Sequence, residues 1–182
     1  HDRIQAKVQE LHESLDDSGL PGAAKAIMTT DTFAKGSTVT VELPSGPIKI
    51  AGIAKGSGMI APDMATMLVY IFTDAKIAQG DLQAVVSDLN EKSFNCITVD
   101  SDTSTSDTLL VAATGTSGVS VTAKDTAFRD GLHHVMQDLA HQVVRDGEGA
   151  TKFVEITVTG ALSDGDAKTH AMAIANSPLV KT

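Results

Sequence analysis

Residues 55–68 read Lys-Gly-Ser-Gly-Met-Ile-Ala-Pro-Asp-Met-Ala-Thr-Met-Leu. A glycine-rich, proline-fixed loop runs here into an apolar segment, Met67 to Phe72. Gly56 and Gly58 permit backbone conformations that other residues resist. Pro62 fixes one φ and pushes Ala61 towards extended geometry. Thr66 therefore stands where a constrained turn meets a strand that the apolar run predicts to be buried. A loop that can strain the backbone, joined to a strand that can hold a side chain, is a suitable setting for a nucleophile.

Upstream, Thr38 to Leu43 alternates and predicts a strand, Pro44 to Pro47 a turn, and Ile48 to Ala54 a second strand, together a hairpin. Ile4, Val8, Leu11 and Leu15 share one helical face, predicting a helix over 3–17 that Gly19 and Pro21 end. A short helix follows over 23–28. Thr29 to Thr32 is hydroxyl-rich, read either as turn chemistry or as an active-site contact.

Downstream, the spacing of Leu82, Val85, Val86 and Leu89 predicts a helix over 81–94. Residues 98–108 are almost wholly Thr, Ser and Asp, and Leu109 to Ala113 reads as a short buried strand. Asp100, Asp102 and Asp107 raise the question of a calcium loop, but the EF-hand glycine and terminal glutamate are not in place. A loop that bonds its own backbone explains the composition as well.

Phe128, Leu132, Val135, Leu139 and Val143 mark a helix over 125–145, with Asp125 or Thr126 as its cap. His133, His134 and His141 lie on it, spaced as surface residues, not as one metal site. Phe153 to Thr159 reads as a strand, and Ser163 or Asp164 opens a last helix through Ile174. These elements are compatible with a mixed α/β fold of the α+β type, with helices layered on sheets in a single structural unit.

The chain has 182 residues, 42% of them hydrophobic, which suits one substantial core or two small lobes. The formal net charge of -9 and pI near 4.9 argue against nucleic acid or an anionic membrane as partner. An anionic substrate would need a local cation instead. Cys96 is the single cysteine, so no internal disulfide or multi-cysteine metal site forms, which fits a reducing cytoplasm. Apolar runs fall short of the ~18 residues of a spanning helix, and no signal-peptide pattern is present.

The segment 55–68 resembles the self-cleavage motif of the ornithine acetyltransferase family, the bifunctional glutamate N-acetyltransferases of arginine biosynthesis. Further matches follow in order: 27–32, 100–108, 146–152 and 177–182. The resemblance implies that the precursor cuts itself between Ala65 and Thr66. Residues 1–65 then belong to an α chain and 66–182 to a β chain, paired into a heterotetramer. It also implies segments before His1 and after Thr182, the first carrying a Thr-Gly oxyanion stabiliser for which Thr114-Gly115 should not be mistaken.

The chemistry is consistent with the residues. A threonine hydroxyl is a poor nucleophile until a base takes its proton. As first residue of a chain, Thr66 would carry its own base, an α-amine with a pKa of about 7.7 to 8.0. An N-to-O shift onto the Ala65 carbonyl, then hydrolysis, would create that amine. Taken alone, Thr66 also reads as an ordinary first strand residue.

The resemblance further implies ping-pong transfer of acetyl from N-acetylornithine to glutamate, releasing ornithine, with no cofactor and with acetyl-CoA a further donor in some members. It makes Lys55 the cation for a substrate carboxylate and Glu148 the anion for an ammonium. Taken alone, these are a solvated strand end and a solvated turn. An amidohydrolase or aminopeptidase with the same nucleophile, or an inert structural domain, are the competing readings.

Overall fold

A single long helix laid across a four-stranded sheet sets the position of everything else. The computed structural model describes residues 1–16, 18–58, 67–101 and 104–181. The chain runs α1 (Asp2–Gln5), α2 (Val8–Glu13), α3 (Leu20–Ala26), β1 (Lys35–Leu43), β2 (Gly46–Lys55), β3 (Leu68–Thr73) and α4 (Gln79–Asn90). A 3₁₀ turn (Phe94–Cys96), β4 (Thr108–Ala113), α5 (Thr126–Arg145), α6 (Asp164–Ala175) and α7 (Pro178–Lys181) complete it. The sheet order is β1-β2-β3-β4. The first two pairings are antiparallel and β3-β4 is parallel, the α4 crossover supplying the connection that a parallel pair requires. The mixed α/β class expected from the sequence is the fold observed.

The β1-β2 hairpin closes at Pro44-Ser45, with Leu43 opposite Gly46. Ile48, Ile50, Gly52 and Ala54 of β2 point one way and meet α5, whose Phe128, Leu132, Val135, Met136 and Leu139 are all buried. Val69 and Ile71 of β3 join the same core. The apolar stripe expected on α5 is thus the main contact of the fold. On the opposite face α3 covers the end of β2, so Ile53 and Lys55 are buried there too.

Several expectations change. The helix expected over 3–17 is two short helices, and its stripe faces solvent: Ile4, Val8, Leu11 and Leu15 are 57–74% exposed. Helices this short gain little stability alone, and without a core beneath the stripe nothing enforces a longer one. Pro21 does not end a helix; it lies in the first turn of α3, where a missing N–H costs nothing. The helix over 81–94 stops at Asn90 and hands over to the 3₁₀ turn. Strand β4 is a half-exposed edge and not a buried strand, with Leu110 49% exposed.

Residues 153–159 form no ladder with any described strand, although their alternation is clear. A strand exists only where a neighbour supplies hydrogen bonds, and neither sheet edge reaches this segment. Asp125 occupies the N-cap of α5 but turns its carboxylate back to Thr122, at 2.6 Å from the amide nitrogen. Ser163 does cap α6, accepting from the Asp166 amide at 3.1 Å. His134 is exposed as expected, but His133 is half-buried with Nε2 lacking a partner, and His141 packs edge-on against Phe153. Among the described residues no helix is long and apolar enough to cross a membrane.

Gly52 lies where α5 presses on the sheet. A Cβ there would stand 2.9 Å from both Ile71 Cγ1 and Leu139 Cδ1. Gly52→Ala is therefore expected to lower stability by roughly 1–3 kcal/mol, read from denaturant unfolding.

Candidate active site

The register of the sheet gathers the functional segments at one end. Lys55, the last residue of β2, pairs with Leu68, the first of β3, and Leu68 pairs in parallel with Thr108. The chain leaving Lys55 and the chain arriving at Met67 therefore meet at this end. Ala65 and Thr66, the expected cut, lie outside the described residues, but their flanks are described. Met67 donates its N–H to Asp107 Oδ1 at 2.9 Å and accepts from the Thr108 amide at 3.0 Å. The residue after Thr66 is thus held by one backbone bond and one carboxylate.

The glycine loop is bound just as closely. Gly56 and Gly58 take φ of +151° and +142°, in the region that favours glycine, as the sequence predicts. Gly56 donates its N–H to Asp31 Oδ1 at 2.7 Å. Ser57 is buried, its Oγ 2.6 Å from Thr30 Oγ1. The Ser57 carbonyl accepts from the Glu148 amide at 2.5 Å. A Cβ on Gly58 would lie 3.7 Å from Glu148 Cβ, so the Glu148 side chain stands beside the loop. The two residues expected to bind substrate, far apart in sequence, are brought to the same loop.

Lys55 departs from a solvated strand end. It is 5% exposed, and its Nζ donates to Thr29 Oγ1 at 3.1 Å. It forms no ion pair with a described carboxylate. Among the described residues its partner is a neutral hydroxyl. Glu148 is exposed. In the Thr29–Thr32 segment, Thr29 donates its N–H to Asp31 Oδ2 at 3.1 Å, a turn bond, and its hydroxyl accepts from Lys55 Nζ.

Sequence reasoning missed the charged group beneath the loop. Lys35 enters β1 on the face shared with Val39 and Val41, against α5. Its Nζ lies 2.6 Å from Asp31 Oδ1 and 2.5 Å from Asp146 Oδ2, with all three side chains 0–2% exposed. Asp146, just past α5, also accepts from the Thr32 amide at 3.0 Å and from its hydroxyl. Burial alone would push both carboxyls up. The bonds from Lys35, with those from Gly56 and Thr29 to Asp31 and from Thr32 to Asp146, more than offset it, and both titrate below the usual range. A lysine at an inward strand position was the available signal, but it required a strand starting at Lys35 rather than Thr38.

A cavity of about 520 Å³, within the range of small-molecule sites, opens beside the loop. Gly56, Ser57, Gly58, Met67, Asp107 and Asn176 help line it; Lys55 and Glu148 do not. Thr114-Gly115 lies elsewhere: Thr114 bonds Thr73, and Gly115 turns the chain at φ +71°. Among the described residues no group of three His, Cys, Asp or Glu is placed to hold a metal ion, and Asp102 lies outside them.

The ArgJ family model matches residues 1–182. The chain is 66% identical over its whole length to the arginine biosynthesis bifunctional protein ArgJ of Ruegeria pomeroyi, of which it spans 44%. It is 52% identical over 99% of its length to that of Caulobacter vibrioides, spanning 46%. The crystal structure of the arginine biosynthesis bifunctional protein of Bacillus halodurans is similar at 42% identity and TM-score 0.59, over 66% of this chain and 57% of that one.

The buried group makes a signed prediction. Removing the cation leaves two carboxylates facing each other without charge compensation, so Lys35→Met should cost about 3–5 kcal/mol near neutrality. In the wild type the native pKa values lie below the unfolded ones. The stabilisation is therefore complete above about pH 4 and lost as pH falls through the depressed native values. The difference between wild type and Lys35→Met in denaturant midpoint should be widest near neutrality and narrow below pH 4.

Proposed function

Because the chain belongs to the ArgJ family, we propose that it works as a glutamate N-acetyltransferase, moving acetyl from N-acetylornithine to glutamate. The observation that carries this is the meeting of Lys55 and Glu148 at the glycine loop, with the Lys55 charge uncompensated among the described residues. N-acetylornithine presents both a carboxylate and a side-chain ammonium, and these two residues match that pair of charges.

Processing begins with attack of Thr66 Oγ on the Ala65 carbonyl carbon. The peptide C–N bond breaks, an ester forms, and the nitrogen becomes the Thr66 α-amine. Water then hydrolyses the ester, freeing the hydroxyl and leaving a carboxylate on Ala65. Residues 1–65 belong to the α chain and 66–182 to the β chain, and the processed chains assemble as a heterotetramer.

In turnover the α-amine takes the proton from Thr66 Oγ as the oxygen attacks the acetyl carbonyl. The proton passes to the departing nitrogen of ornithine, leaving an acetyl ester on Thr66. The glutamate amine attacks that ester, and N-acetylglutamate leaves as Oγ regains its proton. Lys55 holds the α-carboxylate common to both substrates, and Glu148 the ammonium that only ornithine carries. The reaction calls for no cofactor; acetyl-CoA would enter as an alternative donor. The acidic chain and single cysteine fit a cytoplasmic enzyme.

Denaturing mass measurement of the full-length protein should give two species, one beginning Thr-Met-Leu-Val. Thr66→Ala should remain whole and lose turnover. A single uncut wild-type species with normal acetyl transfer would sink the mechanism, and hydrolysis of N-acetylornithine unaffected by glutamate would favour an amidohydrolase. Glu148→Gln should raise KM for N-acetylornithine about tenfold while leaving KM for glutamate nearly unchanged, read from steady-state kinetics.

A further inference from the structure

We propose that Asp31 is a positioning residue for Lys55, an inference that rests on Lys55 being the carboxylate-binding cation. The Asp31 carboxylate is fully buried and accepts three bonds. Oδ1 takes the Gly56 amide at 2.7 Å, and Gly56 is the residue that follows Lys55. Oδ2 takes the Thr29 amide at 3.1 Å, and Thr29 is the residue whose hydroxyl receives Lys55 Nζ. One carboxylate thus fixes the backbone at the root of the Lys55 side chain and the group that holds its tip. A lysine stem has four rotatable bonds, and anchoring both ends removes much of the freedom it would otherwise lose on meeting a ligand.

The third bond explains why this anchoring does not consume the charge. Lys35 Nζ, 2.6 Å from Asp31 Oδ1, supplies the counter-ion that a buried carboxylate needs. Asp31 therefore pairs with a lysine that faces the core and is shared with Asp146, while Lys55 donates to a hydroxyl. An ammonium has three donors; among the described residues Thr29 engages one of them. Two lysines of opposite strand face, one carboxylate between them and one threonine divide the work of folding and of binding.

The test uses full-length, self-processed enzyme carrying Asp31→Asn, Thr29→Val or Thr29→Ser, alone and combined with Lys55→Met. Asp31→Asn and Thr29→Val should each raise KM about tenfold for both N-acetylornithine and glutamate, with kcat changed much less. Thr29→Ser, which keeps the hydroxyl, should restore most of the affinity lost in Thr29→Val. On the Lys55→Met background neither change should add a further loss, because each acts through Lys55. Unchanged KM in Thr29→Val, or losses that multiply with that of Lys55→Met, would overturn the proposal. Thr29→Val keeps the buried ion pairs, so it decides the matter even where Asp31→Asn does not fold or process.

Competitive labelling of amines with acetic anhydride gives a readout independent of turnover. Lys55 should label several-fold faster in Asp31→Asn and in Thr29→Val than in wild type, and equal labelling overturns the proposal. A wild-type enzyme that moves no acetyl to glutamate would instead count against the acetyltransferase assignment, with the labelling comparison still deciding the role of Asp31.

Discussion

The ammonium of Lys35, buried between the carboxylates of Asp31 and Asp146, is the interaction on which the candidate site depends. It joins two neighbouring segments, the loop after α3 and the start of β1, to the residue that follows α5, more than a hundred positions away. Through Asp31 it reaches the Gly56 amide, and through Asp146 it fixes the turn that carries Glu148. A buried ion pair is an expensive way to gain stability, since desolvation offsets much of the attraction. What it supplies here is geometry. The three groups bond in one arrangement, and that arrangement sets the glycine loop against the Glu148 turn.

The rest of the fold supports this point from two directions. The α5 helix, packed through Phe128 to Val143 on the sheet, carries Asp146 to the same end at which β2 finishes and β3 begins. Close contact at Gly52 lets the helix lie near enough for that reach. On the other face α3 delivers Thr29 and Asp31 to the end of β2. The parallel pairing of β3 with β4 adds Asp107 beside Met67. The strand ends thus hold Gly56 and Met67, described residues on either side of 59–66.

The helices outside the main core bury less of their surface. No residue of α1, α2, α6 or α7 is buried. The segment 153–159 touches the fold mainly through Phe153, which lies against His141 and the Arg145 guanidinium. Burial is therefore concentrated where the sheet, α5 and the charged group coincide.

Local pattern was enough for the hairpin, β3, α4 and α5, because each writes its own period and its own stops: alternation in Val39 and Val41, the stripe from Phe128 to Val143, the turn at Pro44-Ser45. The ordered motifs, from Lys55 to Leu68 and on to Glu148, were enough for the family. Partner-dependent features were not legible. Residues 153–159 alternate like a strand but find no neighbouring edge, and Ile4, Val8, Leu11 and Leu15 form a stripe with no core beneath it. Lys35, Asp31 and Asp146 look like ordinary surface charges along the chain. Their meaning arises from one buried contact between residues more than a hundred positions apart, and no periodicity encodes a contact of that range. The ordered motifs name Lys55 and Glu148 as charges that a substrate could use, through the family resemblance; only the tertiary structure gives Lys55 a hydroxyl, and no carboxylate, as its partner among the described residues.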